Sequence, residues 1–209
     1  MPSNGKDAAD QVPDYSAFTA AFNLEDITDL LSGDLETGLN VCVECCDRWA
    51  ESDSIALYWE GADGSSSTHS FAEIQEGASR FANLLTAQGV RRGDQVACML
   101  PRISDLFVVA LGVWRAGAVY VPLFTAFGPK AIEYRLERSA AKLVVTDAVN
   151  RAKLDGIADA PLVTLVTRES DEVVRAGDID FRQALAAQPT EFTPVMLTAE
   201  DPFIMMFTS

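Results

Sequence analysis

A chain of 209 residues with 48% hydrophobic content is long enough to bury the core of a large domain, which excludes disorder throughout. Its formal net charge of −15 opposes phosphate backbones and anionic lipid surfaces, so nucleic acid is excluded as an expected partner. The longest apolar stretch, 106–124, carries Arg115 at its middle, at an insertion cost of about 2.5–3.5 kcal/mol, so a buried helix and strand are expected there and no membrane span.

The acidity is concentrated at the front, where residues 1–60 hold thirteen acidic side chains and two basic ones. Residues 1–14 lack the basic-then-apolar order of a secretory signal, so a cytoplasmic protein is expected, with Cys42, Cys45, Cys46 and Cys98 as reduced thiols. Residues 1–22 read as a polar, weakly ordered lead-in and 24–38 as short acidic helical turns, which makes 1–38 an acidic arm and 39–209 the globular part. The C-x-x-C-C run of Cys42, Cys45 and Cys46 falls short of the four ligands zinc normally needs, since the only histidine is His69, and no metal site is expected. Helical spacing instead turns Val41, Cys45 and Trp49 inward, with Cys42 and Cys46 on the adjoining stripe. The Gly/Ser-rich 61–67 segment reads as a hairpin turn between 55–60 and 68–70, with His69 inert in an exposed turn.

Periodicity predicts a helix over 71–88, opened by a Ser70–Glu73 capping box and closed by Gly89. A strand follows at 95–100, ended by Pro101, then a helix from Ser104 or Asp105 to Gly117 and a strand at 119–121, ended by Pro122. Gly128 and Pro129 open another helix with Ile132, Leu136 and Ser139 facing inward, and 143–146 is a β-branched strand. A strand at 162–166, a short helix at 181–187 and an apolar run at 203–207 complete the series. Alternating helices and short apolar runs predict an α/β fold with a mostly parallel sheet and crossover helices. Because an interior strand that ends in a free carboxylate is costly to desolvate, further chain is expected after Ser209. No G-x-G-x-x-G follows a strand and no complete Walker loop is present, which leaves Rossmann and P-loop readings without their phosphate-binding elements.

In this order the segments S-F-A-E-I (70–74), G-V-R-R-G-D-Q-V-A (89–97), L-P-R (100–102), W-R-A-G-A-V-Y-V-P-L-F (114–124), A-K-L-V-V-T-D (141–147) and D-P-F-I-M-M-F-T-S (201–209) resemble the AMP-forming acyl-CoA synthetases, those related to acetyl-CoA and medium-chain synthetases. The resemblance implies the N-terminal part of the large AMP-binding domain, with the chain ending at the phosphate loop. It also implies an ATP-dependent ligase of fatty-acid metabolism that turns a small-molecule carboxylic acid into acyl-AMP and passes the acyl group to CoA, with Mg2+. Thr208 and Ser209 match the opening Thr-Ser of the family's T-S-G-T-T-G-x-P-K-G loop and are implied to bind ATP phosphate. Ala126 matches the second glycine of a F-G-G-F-S stretch near the CoA thiol, where its methyl narrows the approach. Arg151 and Lys153 match basic residues that meet the CoA nucleotide phosphate. No catalytic residue is assigned, and the chain alone is expected to be inactive. Two alternatives stay open: an adenylating enzyme with a carrier-protein thiol or oxygen as acceptor, and a non-catalytic binding module. The sequence leaves the oligomeric state open.

Overall fold

The computed structural model describes residues 14–23, 25–167 and 172–208. It divides the chain into two units, residues 1–31 and 32–209. In the first, α1 (Tyr15–Ala21) and α2 (Glu25–Thr28) are short helices. The carboxylate of Asp14 caps α1 by accepting from the Ser16 N–H at 3.0 Å, and the rings of Phe18 and Phe22 lie 5.8 Å apart at i,i+4. An aromatic pair at helical spacing thus puts a helix inside the stretch whose polarity read as a weakly ordered lead-in.

The second unit begins by tying its own leading strap down. The Glu44 carboxylate accepts from the N–H groups of Ser32 and Gly33 at 2.8 Å each, and Leu39 pairs antiparallel with Leu197. The buried Asn40 amide donates to the carbonyls of Trp114 and Val195, 2.8 Å each, which fixes the start of α3 (Val41–Cys45). Here the structure corrects the inward face: Cys42 and Cys46 are buried, whereas Cys45 is exposed and Trp49 is 50% exposed. The cause is a break in the helix at Cys46, φ −133°, after which a 3-10 turn at Asp47–Trp49 swings Trp49 outward. The same turn aims Asp47 at Arg115, whose Nη1 donates to both carboxylate oxygens at 2.7 Å.

β1 (Ile55–Glu60) and β2 (Ser66–Ser70) form the antiparallel hairpin, and His69 lies on β2, half-buried with its ring 3.0 Å from the Ser67 hydroxyl, rather than in an exposed turn. Next, α4 (Phe71–Ala87) carries the complete capping box, and Gly89 at φ 80° turns the chain out of it.

The sheet is parallel throughout. Its strands β3 (Gln95–Met99), β4 (Val119–Pro122), β5 (Leu143–Asp147), β6 (Leu162–Val166) and β7 (Ile179–Asp180) lie in the order β4-β3-β5-β6-β7. α5 (Asp105–Arg115) and α8 (Phe181–Ala186) join α4 on one face, where Phe81, Leu85, Val109, Val113 and Phe181 pack with Val96 and Cys98. The opposite face, built from Ala97, Met99, Val121 and Val144, is covered by Ile132 and Leu136 of α6 (Pro129–Ser139). Alternate residues of β3 therefore enter different cores, as the period of a strand requires. α4 and α5 cross so closely that a Cβ at Gly112 would stand 2.8 Å from a Phe81 ring carbon. Among the described residues no helix is long and apolar enough to cross a membrane.

The run 203–207 adds to the sheet beside β4 and runs parallel to it: Tyr120 N–H donates to the Phe203 carbonyl and Met205 N–H to the Tyr120 carbonyl, both at 2.9 Å. Its direction is the expected one, but it occupies the border of the sheet, not the interior. Phe203 is 40% and Met206 66% exposed, because among the described residues no strand lies on its outer side.

Candidate functional site

All the parallel strands end on one side, the carboxyl edge, where open α/β sheets hold their ligands in the crevices between strand ends and following loops. Thr208 stands there, exposed, at the end of the border run. Ser209 lies outside the described residues. Ala126 is exposed in the turn 124–128, which leaves β4 and enters α6 at Pro129.

The turn is held from one side by β5 and its sequel. Asp147, 1% exposed, caps the short helix α7 (Ala148–Arg151), accepting from the Asn150 backbone N–H at 3.0 Å and from its side-chain amide at 2.7 Å. That amide's oxygen then accepts from Lys153 Nζ at 2.8 Å, and Lys153 also donates to the Thr125 carbonyl. A buried carboxylate thus orients an amide, the amide orients an ammonium, and the ammonium fixes the backbone next to Ala126. Arg151 faces elsewhere. Its Nε donates to Asp178 at 2.7 Å and its Nη1 to Asp155 at 3.1 Å, and the hydrogen bond to Asp178 raises its pKa above the ordinary guanidinium value.

From the other side the turn meets Arg135. The guanidinium carbon lies 4.1 Å from the centre of the Phe127 ring and 5.7 Å from that of Phe207, while Nη1 donates to the Ala131 carbonyl at 3.0 Å. Tyr134 meets Phe207 edge-on at 6.2 Å, and Phe124 meets Phe127 at 5.3 Å. The fold therefore gathers the strand end at Thr208, the turn around Ala126 and the ammonium of Lys153 at one edge, and places Arg151 against β7. Sequence reasoning did not single out Arg135, Asp147 or Asn150. Asp147 and Asn150 at i,i+3 are a readable helix start, whereas the stacking of Arg135 joins residues remote in sequence.

Among the described residues, neither Lys153 nor Arg135 is paired with a carboxylate. Lys153 is held by an amide oxygen and a backbone carbonyl, and Arg135 by a carbonyl and two ring faces, whereas Arg80, Arg92, Arg115, Lys142 and Arg182 are ion-paired with carboxylates. Positive charge so held attracts an anionic ligand. Among the described residues no group of three or more His, Cys, Asp or Glu side chains is gathered to hold a metal ion. A separate hollow of about 500 Å³ between the hairpin, α4 and α5 is lined by apolar groups such as Leu57, Phe71, Ile74, Phe107 and Trp114, with no charged side chain in its wall.

The family model for AMP-binding enzymes matches residues 46–209. Among curated relatives, an acetyl-coenzyme A synthetase of Streptomyces avermitilis is 34% identical over 194 residues, covering 82% of this chain and 29% of that protein. One of Halorhodospira halophila is 31% identical over 203 residues, covering 87% and 32%. Among solved structures, an acyl-CoA synthetase of Brucella canis superposes with a TM-score of 0.90 at 42% identity, covering 95% of this chain and 36% of that one. The chain thus spans 29–36% of the length of these relatives.

Proposed function

The chain belongs to the AMP-binding enzyme family, and from that membership we propose that it forms the ATP-phosphate and thiol-acceptor side of an acyl-CoA synthetase, acting as part of a longer cytoplasmic protein. In the first half-reaction an oxygen of the substrate carboxylate attacks the α-phosphorus of ATP, and pyrophosphate leaves as acyl-AMP forms. In the second, the CoA thiol gives up its proton and attacks the acyl carbon, and AMP leaves. Thr208 and Ser209 contribute hydroxyl and backbone donors to the phosphates, whose developing charge such groups stabilise. Lys153 holds the turn in which Ala126 lines the thiol approach, and its charge serves the nucleotide phosphate of CoA, whereas Arg151 would reach that phosphate only by exchanging Asp178 and Asp155 for it. Bound Mg2+ would offset the charge of the ATP phosphates beside the hydroxyls of Thr208 and Ser209.

The observation that carries this reading is the parallel pairing of 203–207 with β4, which brings Thr208 to the carboxyl edge beside the turn 124–128. The 209 residues alone are expected to release no pyrophosphate from ATP in response to a carboxylate. Fusion of this chain to the remaining two-thirds of the Brucella canis synthetase, to which it is 42% identical, is expected to give a chimera that does so. In it, Thr208→Val should lower the rate about ten- to a hundredfold. A folded chimera that hydrolyses ATP without regard to carboxylate, or a 209-residue chain active alone, would contradict the proposal. The methyl of Ala126 is the one feature that favours another acceptor, and the same chimera decides it by forming acyl-AMP that CoA does not consume.

A further inference from the structure

Arg135 has no carboxylate partner among the described residues, although the chain carries 31 acidic side chains against 16 basic ones. A half-buried guanidinium without a counter-ion needs other compensation, and here the faces of Phe127 and Phe207 supply it at 4.1 and 5.7 Å. The two rings belong to different segments of the site. Phe127 lies in the turn 124–128, and Phe207 immediately precedes Thr208. The helix that carries Arg135 is itself anchored to the sheet by the buried Ile132 and Leu136 on either side of it in sequence.

We propose that Arg135 is a positioning residue, a flat clamp that couples the phosphate-binding strand end to the acceptor-side turn. A guanidinium suits this task because it is planar and delocalised, so it lies against rings while its edge bonds the Ala131 carbonyl. An ammonium is compact and strongly hydrated and cannot lie flat against two rings. A carboxylate-neutralised arginine would place negative charge where phosphate is to bind. The aromatic faces hold the cation without that penalty, so the clamp keeps its charge as well as its geometry. The catalytic consequence rests on the function proposed above; the coupling itself does not.

The coupling is read on the whole 209-residue chain by amide hydrogen exchange of peptides covering 124–128, 203–208 and, as reference, α4. Arg135→Met is expected to raise exchange about tenfold in both edge segments and to leave α4 unchanged. Arg135→Lys, which retains the charge, should fail to restore either segment, while Arg138→Met on the exposed side of the same helix should change neither. Phe127→Leu should raise exchange at 203–208 when Arg135 is present and add nothing in the Arg135→Met chain. Should Arg135→Met unfold the chain, seen as exchange throughout α4, the comparison is made with Arg135→Lys instead. Exchange raised in one segment only, restoration of both by lysine, or an effect of Phe127→Leu that persists without Arg135 would each overturn the clamp. In the chimera, Arg135→Lys should raise KM for ATP and for CoA together, each severalfold, and a rise in one alone would break the coupling. A chimera inactive with the native arginine counts against the proposed function, whereas the exchange experiment still decides the clamp.

Discussion

Thr164 lies fully buried in β6, and among the described residues its hydroxyl has no hydrogen-bond partner. A buried hydroxyl that has lost water and gained nothing opposes folding by about 1–3 kcal/mol. Thr164→Val keeps the shape and removes the orphan group, so it is expected to stabilise the chain by about 1 kcal/mol, read as a raised urea midpoint at unchanged slope. A fall in the midpoint would mean that the hydroxyl has a partner in solution. Single residues also show where periodicity alone misleads. Spacing over 41–49 turned Val41, Cys45 and Trp49 inward with Cys42 and Cys46 on the adjoining stripe; Cys42 and Cys46 are buried, while Cys45 and Trp49 are exposed. Burial pushes the Cys46 thiol up to about 12, in keeping with a side chain that packs as a small apolar group. Lys153 and Arg151 were readable as basic residues after a strand, yet the acceptors that separate their roles, Thr125 and Asp178, lie 28 and 27 residues away.

Among the elements, α4 was legible from end to end because its signals are local. Ser70 and Glu73 exchange hydrogen bonds with each other's backbone, the apolar residues repeat at helical spacing, and Gly89 ends the run. Ser70→Ala removes the side chain that accepts from the Glu73 N–H and should destabilise the unit by about 1 kcal/mol, measured by the shift in urea midpoint. An unchanged midpoint would show that the box adds nothing beyond the packing of α4 against α5. By contrast, β7 passed unnoticed because Ile179 and Asp180 are too few for alternation to register, and they are a strand only through pairing with β6. α6 was found from Gly128 and Pro129, and its inward residues Ile132, Leu136 and Ser139 are all buried. Its clamp residue, Arg135, left no signal in that pattern.

For the 32–209 unit as a whole, the sheet has an unprotected border. Phe203 and Met206 are exposed along 203–207, whose outer backbone groups face no strand among the described residues. An apolar edge of that kind pairs readily with another chain. The 209-residue chain is therefore expected to self-associate as its concentration rises, and Met206→Lys should suppress this in sedimentation measurements while leaving helix content unchanged. A wild-type chain that stays monomeric at high concentration would refute the exposed edge. The sequence by itself determined the α/β class and the order of the helices and strands from 55 to 187 other than α7 and β7, because capping, turn chemistry and hydrophobic period act over a few residues, and the family followed from the resemblance of its segments. Only the tertiary structure decided that 203–207 lies at the border, that Lys153 grips the turn while Arg151 turns to Asp178, and that Arg135 joins two segments. Those outcomes depend on contacts across the sheet edge between residues far apart in the chain, and no local pattern records which distant group will be there to accept a proton or a ring face.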